Sequence, residues 1–192
     1  MLVLHGGQQR STEPVLRRHA SWWRMLLIGR SLRRAARREG WHVALLRNRV
    51  RGWNDPADPS PVRDARWALE RLSEQYPRVP VVLVGHSMGG RSACHAADAP
   101  AVRGVVGLAP WLPHGEPAGA LVEKALHVLH GTADRWTSPQ ASRDYVERCR
   151  PRATEVSWTP MPGVGHFMLR RVRDWNAFVE DSVRRILQED RP

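Results

Sequence analysis

Short apolar runs alternate along this chain with longer stretches in which apolar residues recur at helical spacing. Residues 2–4, 43–46, 79–84, 102–108, 125–129 and 154–158 are short and largely apolar, and each reads as a strand. The run at 79–84 is unbroken, which suits a central strand covered on both faces. Residues 62–76, 88–97 and 139–150 carry helical spacing. A long amphipathic pattern over 169–187 uses Val172, Trp175, Phe178, Val179, Val183 and Ile186. Residues 15–38 predict a helix with Trp22, Trp23, Leu26, Leu27 and Leu32 on its inner face and a stop at Gly40. Gly29 and Ser31 weaken its middle, so two pieces fit the pattern as well as one.

Strands alternating with helices predict an α/β fold: a three-layer sandwich around a mostly parallel sheet of about six strands. No repeat or linker divides the chain, so one domain over residues 1–192 is expected, without a separate cap. Open parallel sheets hold their ligands beyond the carboxyl ends of the strands. That places the loops beginning at His5, Arg47, Gly85, Ala109, Gly131 and Pro162 around any site.

One of those loops carries a nucleophile signature. Gly85-His86-Ser87-Met88-Gly89-Gly90 follows the apolar run directly and opens a helical pattern. Glycines on both sides of a serine allow a tight strand-to-helix turn that lifts its hydroxyl above the sheet. The free amides of the new helix favour a developing anion. A serine hydroxyl needs a base, and nine histidines compete for that role. His166 follows the last strand in Pro162-Gly163-Val164-Gly165-His166-Phe167, where glycines let the loop bring its ring inward. An acid must orient that ring, and Asp134, in His130-Gly131-Thr132-Ala133-Asp134, lies after a strand and before His166. The order Ser, Asp, His follows. The Met88 amide is one candidate oxyanion donor, and Gly7 or Gln8, after the first strand, is the other. Trp111 and Trp136 are candidates for pocket walls, although tryptophans at loop ends also serve as packing groups. The segment 110–120, with three prolines and two glycines, is long enough for a small flap only.

On these residues the chain resembles a small, lidless serine hydrolase of the α/β-hydrolase superfamily, along almost its full length, and is similar to the minimal esterases and lipases. His5-Gly6-Gly7 resembles the family's oxyanion loop and Arg51-Gly52 an Arg-Gly pair common after its next strand. Residues 85–90 match the nucleophile elbow, 130–134 the acid loop and Gly165-His166 the histidine loop. The resemblance implies a sheet that lacks the family's two leading strands, because Met1 is nearly adjacent to the oxyanion loop. It implies a Ser87–His166–Asp134 triad that cleaves carboxylic esters through an acyl-enzyme. A thioesterase, an amidase or peptidase, or a non-catalytic binding protein on the same frame are the alternatives.

Composition adds few constraints. The net charge is +11, and residues 1–51 hold twelve arginines against Glu13 and Glu39. Such a field can draw nucleic acid or an anionic membrane, but a solvated basic face is the simpler reading, and a small-molecule acyl substrate is the expected partner. Apolar or aromatic substrate groups are expected before highly charged ones. Cys94 and Cys149 have no ligand or disulfide spacing, and no residue set points to a metal, flavin or nicotinamide, so no cofactor is expected. Neither a leader peptide nor a long apolar span is evident, which makes a cytoplasmic location the expectation.

Overall fold

The computed structural model describes residues 1–188; the last four residues of the expected domain lie outside the described residues. Strands β1 (Leu2–Leu4), β2 (Ala44–Leu46), β3 (Val81–His86), β4 (Val102–Leu108), β5 (Ala125–Gly131) and β6 (Val156–Met161) pair in the order β2-β1-β3-β4-β5-β6. Every pairing is parallel. The strand begins two residues later than the expected run at 79–84: Val79 is exposed and Pro80 comes just before the strand, whereas β3 over Val81–His86 is buried at every position and placed inside the sheet. Its continuity follows from double coverage. β6 sits at the margin, where Pro160 costs no internal ladder bond.

Strand side chains alternate between two cores. On one side Leu2, Leu4, Leu83, Val105 and Leu126 meet α3 (Ser60–Gln75), α4 (Met88–His95) and α5 (Pro139–Cys149). On the other, Val3, Val82, Val84 and Val106 meet α1 (Ala20–Ser31) and α6 (Val172–Gln188), through Met25, Ile28, Trp175, Val179 and Val183. The α1 helix gives way at Leu32 to α2 (Arg33–Glu39). Ser31 helps end the first piece by donating its hydroxyl to the Ile28 carbonyl at 2.7 Å. Gly40, at φ 72°, ends the second in the left-handed conformation that closes many helices.

The inner face of α1 differs from the expected one. Met25, Ile28 and Leu32 are buried at steps of three and four, whereas Trp23 and Leu27 are exposed. The apolar bulk of Trp22 and Trp23 points to a face through those residues, but the helix phase that reaches the sheet passes through 25, 28 and 32. Trp67 on α3 and Val172 at the start of α6 are also exposed. The arginines at 30, 33, 34, 37 and 38 face solvent, as expected of a solvated basic face. Among the described residues no helix is long and apolar enough to cross a membrane.

Parallel pairing throughout brings the carboxyl ends of the strands to one edge. His5, Ser87, Ala109, Asp134 and His166 collect there.

Candidate active site

Ser87 sits in the turn between β3 and α4 at φ 55°, ψ −121°, a region that L-residues rarely occupy. Its backbone is tied on both sides, since its amide donates to the Leu108 carbonyl and its own carbonyl accepts from Gly90, Arg91 and Trp111. A Cβ on Gly89 would lie 2.4 Å from the Leu4 carbonyl oxygen, so only glycine lets α4 start this close to β1. A Cβ on Gly85 would lie 2.3 Å from the Gly89 carbonyl oxygen, so the two glycines of Gly-x-Ser-x-Gly answer one demand within the turn and one from β1.

The His166 ring bridges Ser87 and Asp134. Its Nε2 is 3.0 Å from Ser87 Oγ and its Nδ1 is 2.8 Å from Asp134 Oδ2. An acceptor at Nδ1 holds the ring proton there and leaves the Nε2 lone pair facing the hydroxyl, so Ser87 can donate to it. Both His166 and Asp134 are buried.

Asp134 is held from every direction. Its Oδ1 accepts the Trp136 and Thr137 amides at 2.8 and 3.0 Å. Its Oδ2 accepts the Thr137 hydroxyl at 2.8 Å and stands 3.1 Å from His130 Nε2. Burial would raise this carboxyl's pKa, but the bonds to His130, His166 and Thr137 outweigh it and hold the group well below the usual carboxylate range. The carboxylate stays charged. His130 is itself fully buried, with Nδ1 2.8 Å from Ser142 Oγ.

Two further histidines brace the loops. His86, buried, reaches from the elbow to the His166 carbonyl at 3.0 Å. Burial, with the charges of His166 and Arg24, pushes its pKa well below the ordinary imidazole value, so its neutral Nε2–H is the donor. His5 donates Nδ1–H to the Gly6 carbonyl at 2.7 Å and accepts the Asn48 amide, fastening the loop after β1 to the chain beyond β2.

That loop lies against the elbow. A Cβ on Gly7 would fall 2.3 Å from Met88 Cε, so glycine there allows the two candidate donor residues to meet. The Gln8 amide, the other candidate, is committed to the Arg51 carbonyl at 2.8 Å, and a committed amide cannot also serve an oxyanion. The Gly7 amide and that of Met88, in the first turn of α4, remain. The Gln8 side chain does line the cleft over Ser87, as do Trp111, Trp136 and Phe167. The cleft encloses about 450 Å³, room for one small molecule. This constellation can deprotonate a hydroxyl and stabilise an anion beside it.

The segment expected as a small flap is pinned. Glu116, buried, accepts Arg91 through both oxygens at 2.5 and 2.7 Å and lies 2.5 Å from His95 Nε2. The Arg91 guanidinium lies over both Trp53 and Trp111, 4.0 and 4.4 Å from their ring centres, and the two indoles stand nearly perpendicular to each other. Tyr145 and Arg148 donate to the Pro117 and Glu116 carbonyls from α5. Glu116→Ala strands a buried guanidinium, and should cost about 3 kcal/mol of stability. Urea unfolding of E116A beside wild type checks this; a loss under about 1 kcal/mol would mean that Arg91 finds water or another acceptor.

Sequence reasoning brought out Ser87, His166 and Asp134, and the structure joins them. It gave no role to His130, Thr137, Arg24, Phe167 or Glu116. For His130 a signal was present, because a histidine four residues before Asp134 shares its loop. Thr137, three residues after Asp134, and Phe167, next to His166, are also local, whereas Arg24 and Glu116 lie far from their partners in sequence.

Comparison with known proteins agrees with this architecture. A search of curated protein sequences finds no match. A lidless α/β serine hydrolase from Xanthomonas campestris superposes with a TM-score of 0.71 at 26% identity, over 96% of this chain and 80% of that one. A putative α/β hydrolase of unknown function from Agrobacterium tumefaciens also gives 0.71, at 16% identity, covering 98% and 85%. A monoacylglycerol lipase from Paleococcus ferrophilus gives 0.65, at 16%, covering 94% and 91%. The family model for the alpha/beta hydrolase fold matches residues 1–168, and the chain belongs to that family.

Proposed function

We propose that the protein is a serine hydrolase that cleaves carboxylic esters. The observation that carries this reading is the unbroken chain from Ser87 Oγ through the His166 ring to a fully satisfied Asp134 carboxylate. Ser87 attacks the acyl carbon while its proton passes to His166 Nε2. Asp134 stabilises the imidazolium that results. The Gly7 and Met88 amides receive the oxyanion, and His166 returns the proton to the departing alkoxide. Water then attacks the acyl-enzyme by the same path in reverse and releases the acid. The similarity to a lidless serine hydrolase supports the same assignment.

A matched set of phenyl ester, phenyl thioester and anilide of one acyl chain tests the preference for esters. The expected order of kcat/KM is ester first, thioester next and anilide last. Thioester turnover above the oxygen ester, or anilide turnover equal to it, would replace the esterase assignment.

Within this scheme His130 is a positioning residue. Its Nε2 supports the same Asp134 oxygen that holds His166, so His130→Ala removes one bond to a buried charge. The expected loss is about 10- to 100-fold in kcat with KM nearly unchanged. A loss confined to thermal stability, with kcat intact, would reduce His130 to a packing role.

A further inference from the structure

Among the described residues Arg24 is the only permanently charged side chain lining the cleft over Ser87. It arrives there from α1, whose next inward residue, Met25, is a core residue, so the helix cannot turn the arginine outward without losing its packing. The guanidinium lies 5.1 Å from the centre of the Phe167 ring, immediately after His166 in the chain. No ion pair to Arg24 occurs among the described residues, and its buried Nε has no hydrogen-bond partner. Burial lowers its pKa, yet an arginine remains protonated.

A partly desolvated cation without an acceptor is a cost to the folded protein. The contrast with Arg91 is direct. That guanidinium also lies on aromatic rings, but Glu116 accepts from its Nε and one Nη as a two-pronged pair. No acceptor among the described residues meets the Arg24 guanidinium, which lines the cleft where the substrate must lie. A planar fork of donors matches a carboxylate.

Resting on the serine-hydrolase reading, we propose that Arg24 binds a carboxylate of the substrate, so that the preferred esters carry one anionic group on an apolar or aromatic body. Trp111, Trp136 and Phe167 receive the body, and Arg24 the charge. Arg24 makes no covalent bond. It fixes how the ester lies over Ser87, and the selection for apolar groups expected from sequence becomes a selection for an apolar body with one charged end.

Two pairs of esters test this, one for each side of the scissile bond. 3-Acetoxybenzoate and 3-acetoxybenzamide differ in the leaving group; monophenyl adipate and phenyl hexanoate differ in the acyl chain. For at least one pair, wild type should favour the anionic member, and Arg24→Gln should lower the anionic-to-neutral ratio of kcat/KM by about 10- to 100-fold. Arg24→Lys should restore part of it. Equilibrium binding of the two anionic esters to Ser87→Ala protein, with and without R24Q, separates the two readings. If none of the four esters is hydrolysed, the esterase assignment fails, and the Arg24 assignment is then read from binding alone. A weakening of about 10- to 100-fold on adding R24Q supports it. Unchanged ratios in both pairs, or equal or absent binding with and without R24Q, would overturn it and leave Arg24 as a packing partner of Phe167.

Discussion

Replacing Ser87 with alanine should lower kcat/KM for an activated phenyl ester by about 10⁴- to 10⁶-fold. The loss is large because the hydroxyl is the only group on the elbow that can form the acyl-enzyme. The residual rate comes from the oxyanion donors and from substrate binding, which S87A retains. The fold should survive, because the turn is tied by the Ser87 amide and carbonyl and the alanine keeps both. Steady-state kinetics with a stopped assay at high enzyme concentration reads the residual rate, and a thermal melt beside it reads the fold. A loss of under about 100-fold in a folded variant would mean that another residue or a bound water does the attack.

Asp134→Asn is expected to cost about 10³- to 10⁴-fold in kcat, through the tautomer of His166. The two backbone amides at Oδ1 choose which way the new side chain points. They need an acceptor, so the Asn carbonyl faces them and its NH₂ faces His166 Nδ1. A donor at that position demands a lone pair on Nδ1 and moves the ring proton to Nε2, where it opposes the Ser87 hydroxyl. The base is present but blocked. The same substitution has a signature in stability. Asp134 ionises in the folded protein far more readily than in the unfolded chain, so below about pH 4 the unfolded chain takes up a proton that the folded one refuses. The stability it contributes is fully present above that pH and is lost as acid is added. His86 and His5, with pKa values depressed by burial, add a loss that begins below about pH 6.5, since the unfolded imidazoles protonate first. Urea midpoints between pH 3 and 8 should fall toward acid in wild type and should fall less steeply below pH 4 in D134N. Parallel curves would show that Asp134 is not the group whose titration matters.

The parts of this molecule legible in sequence are those specified locally. Gly85 to Gly90 encodes much of its own turn, since the Gly85–Gly89 contact lies within the motif, while the demand on Gly89 comes from β1. β3 was evident because coverage on both faces leaves a continuous apolar run. The order of Ser87, Asp134 and His166 follows from strands that all end at one edge. What remained hidden depends on distance or on phase. Arg91, His95 and Glu116 are ordinary charged positions until the fold places them together. Arg24 looked like one more member of a basic helix, and only the phase set by Met25 and Ile28 turns it toward the cleft. Trp23 shows the converse: a large apolar side chain attracted an assignment to the core, and the helix phase leaves it outside.

Activation of Ser87 can be tested by covalent labelling, without a known substrate. Wild-type protein and S87A are treated with a fluorophosphonate at neutral and mildly alkaline pH and read by intact mass and peptide mapping. One adduct is expected, on Ser87, and none on the variant. Folded wild-type protein that takes up no label from either a small or a larger probe, or an adduct that persists in S87A, would contradict it.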